Sequence, residues 1–237
     1  NNRNTGPSRK LLLSALFISV FFTAVYSQQL QVTNSSTLPF TPQNLISNIF
    51  LGDGVEVSNI AFNGVPQAVG YFTGGSQSIG IDRGIVLTTG LVESGTGFLA
   101  PVGCNAEGID FATNINSSPA FDADLAAQTT TGIEDVAVYT ITFIPTSDTV
   151  RFRYVFGSEE YPEFACSDYN DVFGFFIQGP GYPMPTNIAK IPGTNLSVTI
   201  NNLHPDNNIN YPPCDPFNAQ FYNNNNFSTN QPSYDGF

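Results

Sequence analysis

The chain has 237 residues, with 19 acidic and 7 basic side chains, 41% hydrophobic residues, 21 Phe, 10 Tyr and no Trp. That is material for one large domain with an aromatic core. A net charge of −12 argues against a nucleic-acid partner and against binding to an anionic membrane surface, and favours divalent cations instead.

The basic, polar opening "NNRNTGPSRK" precedes the apolar run "LLLSALFISVFFTAV", and "YSQQ" supplies a small residue, Ser27. This order is that of a secretory signal peptide over residues 1–27, cleaved after Ser27. The run is short for a membrane span, so the mature chain, residues 28–237, is expected to carry none. It keeps Arg83, Arg151, Arg153 and Lys190 against all 19 acids, a net charge of −15. No linker divides it, so it reads as a single domain.

In "TPQNLISNIFLG", Thr41 is placed to cap a helix, Pro42 suits the first helical position and Gly52 stops it. "VEVSNIAFNG" then alternates as a strand, and "GIVLTTG" is a short strand between glycines. "SPAFDADLAAQTT" reads as a short helix capped by Ser118. In "AVYTITFIPTSD", Tyr139, Ile141 and Phe143 share one face. "TVRFRYVFG" is expected to return as its hairpin partner, with Val150, Phe152, Tyr154 and Phe156 inward. "DVFGFFIQG" is apolar nearly throughout, like a central strand covered on both sides, and "NLSVTINNL" alternates again. The Asn- and Pro-rich remainder is a long loop in which His204 reads as an exposed turn residue. The expected fold is mainly β: a single antiparallel β-sandwich or jelly-roll-like domain with one or two short helices.

Between the last two aromatic strands lies "FGSEEYPEFACSDYNDVFGFFIQG", which crowds acids into a half-buried place. Glu159, Glu160, Asp168, Asn170 and Asp171 form a candidate Ca²⁺ site, because that ion takes six to eight oxygens from loops. The EF-hand spacing is absent: the twelfth residue from Asp168 is Gly179. The plainer reading is a solvated loop whose acids bond backbone amides. A third is glycoside hydrolysis by Glu160 and Asp171, since adjacent Glu159 and Glu160 point to opposite faces of a strand. No G-x-S-x-G, H-E-x-x-H or phosphate-binding glycine loop is present, so the chain reads as non-catalytic. Three cysteines in an exported chain allow one disulfide, and Cys166 with Cys214 is the favoured pair because both lie in Pro- and Asp-rich loops.

"GIVLTTG", the run from "DADLAAQTTTGIEDVAVYTITFIPTSD" through "FIQGPG", "NIAKIPGTNLSVTINNL" and "YDGF" together resemble the choice-of-anchor L domain. The resemblance covers roughly Leu38 to Phe237. It implies a secreted or cell-surface protein, largely of Bacteroidetes, commonly followed by a type IX secretion tail or another anchor. It brings no catalytic residues, and it implies further strands beyond Phe237. The function expected is adhesion or matrix interaction with an extracellular carbohydrate or protein.

Overall fold

A computed structural model describes residues 31–36, 38–52, 54–76, 79–92, 118–158, 160–162, 164–205 and 215–224. The expected signal segment, Cys104, Cys214, Glu159 and Glu163 lie outside them. The protein is mainly β, with every strand pair antiparallel and only short helices.

Strand β1 (Gln31–Asn34) pairs with β3 (Val69–Thr73), and β3 with β4 (Arg83–Leu87), in a three-stranded sheet of order β1-β3-β4. Val32, Phe72 and Val92 form its core cluster, with Ile79, Ile81 and Val86 packed against them. The predicted helix begins as α1 (Pro42–Leu45) and continues as a π turn over Ile46–Phe50. Thr41 caps it as expected, its hydroxyl accepting from Asn44 N at 3.3 Å, and Leu45 and Ile46 are buried.

Strand β2 (Val55–Asn63) pairs with β5 (Val138–Pro145) over their full lengths. In β5 the expected alternation holds, with Tyr139, Ile141 and Phe143 inward and Thr140, Thr142 and Ile144 exposed. In β2 a bulge between Val57 and Asn59 turns Ser58 and Asn59 both outward, then restores the phase so that Ile60 and Phe62 face in. Phe62 packs on Tyr139 at 4.9 Å between ring centroids, and the Tyr139 hydroxyl donates to Pro42 O at 3.0 Å, joining this pair to α1.

The partner of β5 is therefore β2, and not the sequence-adjacent "TVRFRYVFG". Residues 149–157 belong to no strand; Phe152 and Phe156 are partly buried, whereas Val150 and Tyr154 are 49% and 37% exposed. The short helix α2 (Ala123–Ala126) is present, but its cap is Asp122, which accepts from Leu125 N at 2.8 Å. Ser118 instead bonds Ala120 N and Val136 O just upstream.

The expected central strand is split into β6 (Val172–Phe173) and β7 (Phe176–Gly179). A Cβ on Gly174 would stand 2.4 Å from Phe176 Cε2, so a larger residue there would require that ring to shift. β7 pairs with β8 (Tyr182–Asn187), and β6 with β9 (Val198–Thr199). After β9 the chain turns into a 3₁₀ segment, Ile200–Asn202, capped by the Thr199 hydroxyl. A second core cluster of Tyr161, Ala165 and Ile200, flanked by Phe156, Leu203 and Tyr222, packs residues of the acidic loop against the turn after β9.

Candidate functional site

The acidic loop runs from Phe156 to β6 and is closed at its neck by one hydroxyl. Ser158 Oγ donates to Asp171 Oδ2 at 2.9 Å and accepts from Glu160 N at 3.1 Å. Small size and burial suit serine here, since its single oxygen serves both ends of the loop. Next, Tyr161 is fully buried; its hydroxyl donates to Leu203 O at 2.6 Å and its ring meets Tyr222 edge-on at 5.1 Å. The Tyr161–Pro162 bond is cis, and turn bonds from Phe164 N to Glu160 O and from Ser167 N to Phe164 O fold the middle of the loop.

Asn201, at the 3₁₀ turn after β9, holds the far side. Its Oδ1 accepts from Cys166 N at 2.6 Å and its Nδ2 donates to Ser167 O at 2.8 Å. Its own N–H donates to Asn170 Oδ1 at 2.9 Å, while Asn170 Nδ2 reaches Thr129 Oγ1 at 3.2 Å. The amide grip fixes Cys166 at φ 67°, a left-handed conformation costly for a residue with a Cβ. Side-chain amides thus take up backbone groups that a turn this irregular leaves without ladder partners.

Burial pushes the Asp171 carboxyl above the ordinary carboxylate range, and the Ser158 hydrogen bond opposes the shift. Burial likewise raises the Tyr161 phenol, helped by Tyr222 and then by Asp171. Asp168 and Tyr169, by contrast, are exposed.

Of the five candidate calcium ligands, the structure links the backbone N–H of Glu160, not its carboxylate, to Asp171 through Ser158, commits Asn170 to Asn201 and Thr129, and leaves Asp168 at the surface. Glu159 lies outside the described residues. Among the described residues no group of three His, Cys, Asp or Glu side chains could hold a metal ion. Cys166 is disulfide-bonded, and both other cysteines lie outside the described residues.

Two residues that the sequence reading passed over, and one that it misplaced, organise the site. Ser158 and Asn201 gave no signal beyond being small and polar. His204, read as exposed, is 1% exposed: Nδ1 donates to Pro205 O at 2.8 Å, and Nε2 lies 3.5 Å from Cys166 Sγ. A two-bond bridge between His204 and Phe217 draws the chain over it. Within the described residues no helix is long and apolar enough to cross a membrane.

Residues 31–237 match the family model described as the choice-of-anchor L domain. No curated protein and no solved structure gives a significant match.

Proposed function

The chain belongs to the choice-of-anchor L domain family, and from that premise we propose that it is a non-catalytic module of an exported surface protein, serving adhesion or matrix interaction. The observation that carries this reading is the family match, which spans residues 31–237. The loop chemistry supports it: Ser158, Tyr161, Asn170 and Asn201 spend their polar atoms on one another and on the backbone. Such a loop displays a shaped surface on a β scaffold, the usual arrangement for binding. The ligand class is an extracellular carbohydrate or protein. Panels of glycans and of immobilised matrix proteins test this directly, with retention by one class expected and retention by neither refuting it.

Ca²⁺ belongs to the proposal as a structural ion at Glu159, Glu160, Asp168, Asn170 and Asp171. Thermal melts in EDTA, in millimolar Ca²⁺ and in Mg²⁺ decide it. A ligand held only by the folded state at 100 times its Kd adds about 2.7 kcal/mol, so Ca²⁺ would raise Tm by several degrees. Equal melts in the three buffers remove the ion from the account.

One observation favours a second reading, hydrolysis of a glycoside by Glu160 and Asp171. The raised Asp171 carboxyl has the character of a general acid. Turnover of a glycan that disappears in both Glu160→Gln and Asp171→Asn would establish it. Against it, Asp171 is already engaged by Ser158.

A further inference from the structure

Residues 150–156 are apolar-alternating but unladdered: among the described residues no backbone hydrogen bond involves them. Their rings nevertheless lie in order against the β6–β7 segment. Phe152 stacks on Phe175 at 3.9 Å and 12°, and Tyr154 meets Phe173 at 4.9 Å. As one chain advances by two residues the other retreats by two, which is the register of antiparallel neighbours. The Ser158–Asp171 bond continues the same approach toward the loop neck.

Among the described residues, the backbone hydrogen bonds of β6–β7 run to its other side. Asp171 O accepts from Ile200 N at 3.2 Å and Phe175 O from Ile188 N at 2.8 Å, so these odd-numbered residues turn their backbone groups toward β9 and β8. Backbone direction alternates along a strand. Val172, Gly174 and Phe176 therefore aim theirs at residues 150–156.

We propose that residues 150–156 are a strap that closes onto this edge as an antiparallel strand, with Phe152 opposite Phe175 and Tyr154 opposite Phe173. The hydrogen-bonded pairs are then Arg151 with Phe176, Arg153 with Gly174 and Val155 with Val172. The two ring pairs fall at the non-hydrogen-bonded positions, where side chains come closest, in keeping with their short separations. Closure converts β6–β7 from an edge into an interior strand and makes residues 157–170 the connection of a long hairpin. In the structure the strap is tethered elsewhere, Arg153 Nη2 donating to Gly80 O at 2.9 Å. This inference stands apart from the functional reading.

Solution NMR on the full chain tests it. Closure predicts Hα–Hα contacts for Phe152 with Phe175 and for Tyr154 with Phe173. It also predicts amide exchange at Arg153, Val155, Val172 and Gly174 slowed on the order of 100-fold relative to Phe152, Tyr154 and Phe156. In Tyr154→Ala the Gly174 amide loses that protection while Ile177, which faces β8, keeps it. Unprotected exchange at Gly174 in the native chain, Hα contacts in another register, or equal loss at Gly174 and Ile177 in the variant overturns the proposal.

Discussion

At Asp171, burial favours the neutral carboxyl while the Ser158 hydroxyl favours the ionised one, and burial is the larger effect. The folded-state pKa therefore lies above the unfolded value of about 4. A group shifted this way favours folding most below its unfolded pKa, and that contribution is lost as pH rises through the folded pKa. Asp171→Asn keeps an acceptor for Ser158 and removes the buried charge. Urea melts between pH 4 and pH 8 should show the variant more stable at neutral pH and its stability less dependent on pH over that window. A variant less stable at pH 7 in EDTA would refute the assignment. Asn201 makes the complementary case of a neutral group with no charge to lose. Asn201→Ala strands Cys166 N and Ser167 O, and should lower unfolding free energy by about 1–3 kcal/mol, read from the same melts at constant slope.

Among the elements, short helices here depend on their caps, since four residues are too few to hold a helix alone. Asp122→Ala should cost about 1 kcal/mol through loss of the bond to Leu125 N, measurable by thermal denaturation. The sequence pattern located α2 but chose Ser118, because both residues precede the apolar run and only the backbone path decides which one faces the free N–H groups. Strand faces, like the Thr41 cap, were legible because their signals are local. Tyr139, Ile141 and Phe143 announced their face by spacing alone. Partners were not legible, because the pairing of β5 with β2 is a choice among distant segments. At the break between β6 and β7, Gly174→Ala would drive a methyl into the Phe176 ring, and a loss of about 1–3 kcal/mol is expected from such overpacking.

For the whole molecule, charge is the property that composition exposes most directly. With 19 acids against 7 strong bases, self-repulsion opposes compaction, and added monovalent salt screens it over about 10 Å at 0.1 M. Melting temperature should rise with NaCl from 10 mM to 300 mM in the presence of EDTA; a flat response would mean the acids are spaced widely enough to ignore one another. The acidic loop was visible in the sequence as a cluster of carboxylates. Its actual fastening by Ser158, Asn170 and Asn201 was not, since neutral side chains reaching across 13 to 35 positions leave no spacing rule.

The bulged pairing of β2 with β5 also sets a clock. Ser58 bonds to Thr142 O, 84 positions further along. At a synthesis rate of about 5–20 residues per second, β2 would wait on the order of 4–17 s for its partner to be made. During that interval β2 lacks the strand that pairs with it. Newborn chains are therefore most exposed to misassociation before residue 145 emerges, and a companion that shields nascent strands would matter most in those seconds.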